Sequence, residues 1–324
     1  MALNIETIRS FSMIEAYRKA AVEAAMSTSS ASNSFPHWSK SISTISGGRL
    51  SGRVIFDLGD HLRDIFKASS QGNLRVGENT NSSVSAGGAA WESLVCWYLN
   101  LCLIGSNVVV IKSKKDLLPS FVTDAIAVKY NNFKSNTEAD LIYIAFPDGV
   151  EWPKRKQKEL FSQYFDRALS SAFSMKDVAI GVIQTKTNWN DNAQIPMLWD
   201  MVYSAKGFGR NVTVGSKGRS IESFASFTYS FVTVPSQKDT DKNYKVTSTA
   251  VNRVRNISGG NYWGLATKDG VADSLNEFIG RNLSEYVPDA DLIGWLNQQV
   301  KLLKTDYAYF GLYDGHASYD LSDS

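Results

Sequence analysis

The sequence predicts an α/β or α+β chain with extra helices at its N-terminus. Two observations predict it. Short apolar runs of strand length, "NVVVIK", "LIYIA" and "AIGVIQTK", alternate with longer stretches in which apolar residues recur every three or four positions. Laid in order these give helix, strand, strand, helix, strand, helix, with further strands later, which is a layered α/β pattern. The chain of 324 residues, 43% of them hydrophobic and 12% aromatic, holds enough apolar material for one large domain or two modest ones.

The elements follow in order. Residues 4–27 read as a helix with Ile5, Ile8, Phe11, Met13, Ile14, Tyr17, Ala20 and Ala21 on its apolar positions. A Ser/Asn/Gly-rich stretch runs from Ser27 to about Gly52. Residues 53–68 form a second amphipathic helix, and 69–88 a long Gly/Asn/Ser loop, a length that is often functional. "AAWESLVCWYLNLCLIG", 89–105, is the most apolar helix, with Gly105 as its C-cap. Strands are expected at 107–112 and 139–147, with a helical or mixed stretch at 115–129 between them. A helix over 152–173 has Pro153 in its first turn. The third strand is 177–186, and a helix follows at 195–207. Residues 211–247 are β-rich, with "ESFASFTYSFVTV" alternating as a half-exposed strand does. Helices at 269–282 and 289–304 close the series. Residues 1–70 read as a helical N-terminal region and 71–324 as the main domain, or the whole chain as one domain.

Lys and Arg number 34 against 32 Asp and Glu, a net charge of +2. That neither announces nor excludes a nucleic-acid partner, because a basic cleft sits easily on a near-neutral protein. The N-terminus lacks the apolar run of a signal peptide. No segment approaches the roughly 18 consecutive apolar residues of a membrane span. Cys96 and Cys102, six apart on an apolar helix, suit neither an intrahelical disulfide nor a zinc knuckle. They read as buried thiols in a reducing, cytoplasmic compartment. Three scattered histidines argue against a His-based metal site or a Ser-His-Asp triad. There is no G-x-S-x-G, no P-loop and no dinucleotide fingerprint. Any chemistry here rests on carboxylates, amides and lysine.

Four polar residues interrupt apolar segments. Glu92 is the only charge in helix 89–105. Asp140 is the first polar side chain as strand 141–146 begins. Gln184 and Lys186 end the third strand, where alternation turns both to one face. In this order the four resemble the site of the PD-(D/E)XK nucleases, most familiar from type II restriction endonucleases. In that family a helix carries a glutamate, the next strands an aspartate, and a later strand an acid, any residue and then lysine. The resemblance covers roughly residues 89–206. It departs from the pattern where Gln184 replaces the motif acid and where Ala139, not proline, precedes Asp140.

The resemblance implies a restriction-endonuclease-like mixed sheet flanked by helices and Mg²⁺-dependent hydrolysis of phosphodiester bonds. Asp140 would hold the ion directly. The carboxamide oxygen of Gln184 and the carbonyl of Thr185 would complete the protein's share of its shell. Glu92 would orient a metal-bound water or bind a second ion. Lys186 would meet the attacking water and the scissile phosphate. Asp148, in the turn "FPDG", is the fallback for the metal aspartate, and Glu138 a weaker one.

Contacts to DNA are expected from three loops. The amide run 187–194 carries Asn188, Asn190, Asn192 and Gln194, residue types that pair with adenine. Lys206, Arg210, Lys217 and Arg219 lie among glycines in 204–220, and Arg253 and Arg255 precede Gly259 and Gly260. Both compositions suit close approach to phosphates. Lys112, Lys114 and Lys115 would line the same cleft. The partner implied is double-stranded DNA, bound by a homodimer in a prokaryotic cytoplasm, with no membrane. The competing readings are a repair or phage nuclease of the same fold and a catalytically inactive DNA-binding protein.

Overall fold

A computed structural model describes residues 12–69, 81–130, 133–135, 139–187, 212–234, 260–262, 274–287, 291–313, 315 and 320–321. It opens with helix α1, Ser12–Met26, and helix α2, Ser29–Ser46. Helix α2 occupies the stretch whose serines and Gly argue for irregular chain. Its buried Ala31, Ser34, Trp38 and Ile42 stand three or four apart, so burial of one face overrides the modest propensity of serine. The Thr28 hydroxyl accepts the Ala31 N–H at the start, and Gly47, at φ 61°, ends the helix. Strand β1 is Arg49–Leu50, and helix α3, Gly52–Lys67, is capped by Ser51. Helix α4, Asn81–Cys102, begins inside the expected loop and ends before the expected C-cap. Gly105, at φ 75°, lies in the turn beyond it and donates its N–H to Glu15 Oε1 at 2.9 Å.

Strand β2 is Val108–Lys112, helix α5 Ser120–Ala125, and strands β3 and β4 are Val128–Tyr130 and Phe133–Ser135. Strand β5 is Leu141–Ala145, helix α6 Phe161–Ala168 and strand β6 Ala179–Thr187. Strands β7, β8 and β9 are Val212–Val214, Ser226–Val234 and Gly260–Tyr262. Helices α7, Leu275–Asn282, and α8, Leu292–Val300, precede strand β10, Asp320–Leu321.

The helix expected over 152–173 is confined to α6. Residues 151–160 instead form an irregular strap pinned by specific contacts. The Tyr164 hydroxyl donates to Pro153 O at 2.8 Å, the Arg155 guanidinium lies 4.0 Å over the Phe161 ring, and Lys158 takes φ 62°. The expected helix at 195–207 lies outside the described residues.

Five strands form the main sheet in the order β2-β5-β6-β8-β9. Strands β2, β5 and β6 are antiparallel, with Leu141 opposite both Lys112 and Ile183. Strand β8 then runs parallel to β6 over nine residues, which needs the long connection between them. Strands β4, β3 and β7 make a smaller sheet. Gly181 lets the strands close up: a Cβ there would collide with Tyr143 Cε1 and lie 2.5 Å from Thr228 Oγ1.

A hydrophobic core lies on each face of the main sheet. On the face of Val108, Val110, Leu141, Tyr143 and Ile183 it is covered by α2, α3, α4, α7 and α8. On the face of Val109, Ile111, Ile142, Ile180 and Val182 it is covered by α5 and α6. Helix α1 serves both, giving Tyr17 and Ala21 to one core and Val22 and Ala25 to the other. The N-terminal helices therefore share the core of the sheet.

Arg18, without solvent exposure, fixes α1 in place. Its guanidinium pairs with Glu15 at 3.0 Å and donates to Val108 O at 2.6 Å and Ser106 O at 2.7 Å. Cys96 and Cys102 are buried free thiols, pushed up to about 12 by burial. No helix among the described residues is long and apolar enough to cross a membrane.

Candidate functional site

Strand β5 begins at Leu141, and Asp140 stands on the bend just before it. There the ladder to β6 stops, and the Asp140 side chain takes over a backbone partner. The Thr185 N–H donates to Asp140 Oδ2 at 2.8 Å, and the Thr185 hydroxyl lies 3.3 Å from the same oxygen. On the other side the Ser113 N–H donates to Asp140 O at 3.1 Å, so Asp140 joins the ends of β2 and β6. Asp140 is half-buried, and burial raises its pKa to about 6. The Thr185 N–H and the Lys186 charge act downward, and the Glu92 charge upward.

Gln184 is fully buried, and its Oε1 accepts the Tyr229 hydroxyl at 2.5 Å. It shares a sheet face with Ile180 and Val182 by alternation. Helix α4, which carries Glu92, packs on the opposite face with Ile183. Glu92 and Gln184 thus approach this end of the sheet from its two sides. The structure brings together Asp140, Thr185 and Lys186, with Glu92 in the field of Asp140. The carboxamide oxygen of Gln184 is engaged by Tyr229. Tyr229 enters through the parallel register of β6 with β8, where Gln184 stands beside Phe231. Its place in the alternating run "SFTYSFVTV" signals burial and no more.

Glu92 is held by a lysine. Lys112 Nζ lies 3.0 Å from Glu92 Oε2 and also donates to Ala89 O at 3.2 Å and Ser93 Oγ at 3.4 Å. Both side chains are about one-fifth to one-quarter exposed, so the pair is shielded from solvent on most sides. The sequence carried a signal for it: Glu92 is the one charge of its helix from Ala89 on, and Lys112 the one charge of its strand.

The other expected residues lie elsewhere. Asp148 sits past the opposite end of β5, where Asn107 Nδ2 donates to its Oδ1. That end pairs with Ala179, not with Ile183, so the fallback aspartate is a strand length, about 15 Å, from the Gln184–Lys186 end. Lys217 and Arg219 occupy the turn after β7. Both pair with Asp124, at 3.3 and 3.2 Å, and Arg219 Nη1 donates to Ser120 Oγ at 3.0 Å. Arg219 thereby clamps the turn to α5, whereas the Lys217 side chain is 74% exposed. Glu138, Asn188, Asn190, Asn192, Gln194, Lys206, Arg210, Arg253 and Arg255 lie outside the described residues.

Among the described residues no three His, Cys, Asp or Glu side chains converge as a metal cluster. The donor set is one carboxylate, Asp140, with a second, Glu92, near enough to raise its pKa. A half-buried acid in the field of another acid gains from a cation. That set suits a hard ion that keeps most of its waters, such as Mg²⁺, and not a closed tetrahedral zinc site. Compared with protein-family models, curated proteins and solved structures, the chain matches none.

Proposed function

We propose that the chain is a Mg²⁺-dependent endonuclease of the PD-(D/E)XK kind, hydrolysing double-stranded DNA as a homodimer in a prokaryotic cytoplasm. One observation carries the reading. Segments far apart in sequence meet at one end of the sheet, where the Asp140 carboxylate accepts the N–H of Thr185, the residue between Gln184 and Lys186.

Asp140 and the carbonyl of Thr185 would hold the ion, and Glu92 would act through a metal-bound water. When bound, Mg²⁺ supplies charge neutralisation at the phosphate and an acidified water. The chain's own residues do the rest. Thr185 fixes one oxygen of Asp140, so the carboxylate is oriented before the substrate arrives. Lys112 holds Glu92 in place. The Lys186 ammonium meets the charge that develops on the phosphate. Gln184 is a positioning residue: its bond to Tyr229 holds the strand end from which Thr185 and Lys186 emerge.

Incubation with phage DNA in Mg²⁺, and again in EDTA, tests this reading. Discrete bands indicate a site-specific enzyme, a smear a non-specific nuclease. Lys186→Ala is expected to slow cutting by roughly a hundredfold or more while DNA binding stays within a few-fold. Wild-type cutting by that variant would remove Lys186 from the site. The engagement of a neutral Gln184 by Tyr229 favours a second reading, a catalytically inactive DNA-binding protein. On that reading DNA is shifted in a gel but stays uncut with Mg²⁺ or Mn²⁺.

A further inference from the structure

Lys112, the one charge of strand β2, is held more completely than a surface lysine is. An ammonium has three N–H donors, and each finds an acceptor here: Glu92 Oε2 at 3.0 Å, Ala89 O at 3.2 Å and Ser93 Oγ at 3.4 Å. All three acceptors come from one stretch of helix α4, residues 89–93. The Ser93 hydroxyl gives its own proton to Ala25 O at 2.9 Å, which turns its lone pairs to the ammonium. Both members of the ion pair are mostly buried. Lys112 is therefore a fixed cation, directed at Glu92 by the fold.

The pair stands at the Asp140 end of the sheet. Lys112 is the ladder partner of Leu141, the residue after Asp140, and the next residue along β2, Ser113, donates its N–H to Asp140 O at 3.1 Å. The Glu92 charge reaches Asp140 and acts on it. Two carboxylates thus meet at this end with different partners. Glu92 has a cation supplied by the chain itself. Asp140 Oδ2 takes the neutral N–H and hydroxyl of Thr185.

We propose that the Lys112 ammonium serves Glu92 as a built-in cation, so that the site takes one divalent ion, at Asp140, and Lys112 excludes a second. The proposal rests on the nuclease reading and deepens it. A divalent ion drawn onto Glu92 would have to displace the ammonium from three hydrogen bonds or stand close beside it, and like charges at short range in a mostly buried setting repel. Lys112 takes Oε2 of Glu92, which leaves Oε1 to accept from a water of the Asp140 ion. Lys112 is a positioning residue here, because it acts through Glu92.

Counting ions tests this without turnover. The full chain, free of DNA, is titrated with Mn²⁺, a hard ion that takes the same oxygen ligands as Mg²⁺, and free Mn²⁺ is read from its electron paramagnetic resonance signal. Site ions are those lost in the double variant Asp140→Asn, Glu92→Gln, which removes surface-bound Mn²⁺ from the count. Wild type should hold one site ion per chain. Lys112→Met keeps an unbranched side chain and drops the charge, and it should hold two. Adding Glu92→Gln to Lys112→Met should return the count to one. A role in packing alone would move none of these counts. Thermal melting shows which variants are folded. Should Lys112→Met not fold, Glu92→Gln alone decides: it leaves the count at one if Lys112 occupies Glu92, and lowers it from two to one if Glu92 binds an ion. Two site ions in wild type, or one in folded Lys112→Met, overturn the proposal, and the nuclease reading survives if wild type still cuts DNA. No site ion in wild type overturns it as well, and if DNA also stays uncut with Mg²⁺ both fall together.

Discussion

At the scale of single residues, Asp140 has a measurable signature of its own. Its pKa stands at about 6 against an ordinary 3.8, chiefly through burial. The folded chain therefore holds the Asp140 proton more tightly than the unfolded chain does. The stability this contributes is complete below about pH 4 and is lost as pH rises through about 6. Asp140→Asn removes that slope. In EDTA at pH 8 the variant should exceed wild type by about 1–2 kcal/mol, a figure reduced for the partial exposure of the group. Added Mg²⁺ should then raise the melting temperature of wild type and not of the variant. Thermal melts from pH 4 to 8 check both, and a pH-independent difference would dissociate Asp140 from the titration. Asp140, Lys186 and Glu92 were legible in the sequence because each is a charge interrupting an apolar run. The Gln184–Tyr229 bond was not, because it depends on a parallel register set across a long connection.

Among elements, β6 depends on a missing side chain. With a methyl at position 181, Tyr143 and Thr228, whose hydroxyls are 2.5 Å apart, would have to separate. Gly181→Ala is expected to cost about 1–3 kcal/mol in urea unfolding. Strands β2, β5 and β6 were readable because each is a short apolar run with polar ends. Two helices were misread for opposite reasons. Helix α2 has many serines and Pro36 inside it, yet Trp38 and Ile42 are fully buried and hold it. The run 154–158 is rich in good helix formers, yet Glu159, Phe161 and Tyr164 hold it irregular. In both cases tertiary contacts outweigh propensities of a few tenths of a kcal/mol per residue.

For the molecule as a whole, the joint between α1 and the sheet is decisive. Arg18 lies between Glu15 and the carbonyls of Ser106 and Val108, and the Tyr309 hydroxyl and Gly105 N–H also reach Glu15. Removing one partner leaves a largely buried charge without its counter-ion. Arg18→Met should destabilise the fold by about 3–5 kcal/mol. Denaturant unfolding should show one transition in the wild type, because α1 to α3 share a core with the sheet. A separate early transition for the N-terminal helices would contradict that shared core.

The small parallel ladder of β1 with β10 sets a timetable for this chain. Arg49 is aligned with Asp320, so about 270 residues must leave the ribosome before β1 can meet its partner strand. Until then its edge is open while the separate five-stranded sheet assembles. This ladder closes a very long loop for two residues of pairing, so it should form last and fray first. Amide exchange at Leu50 is the place to look for the earliest opening of the native state.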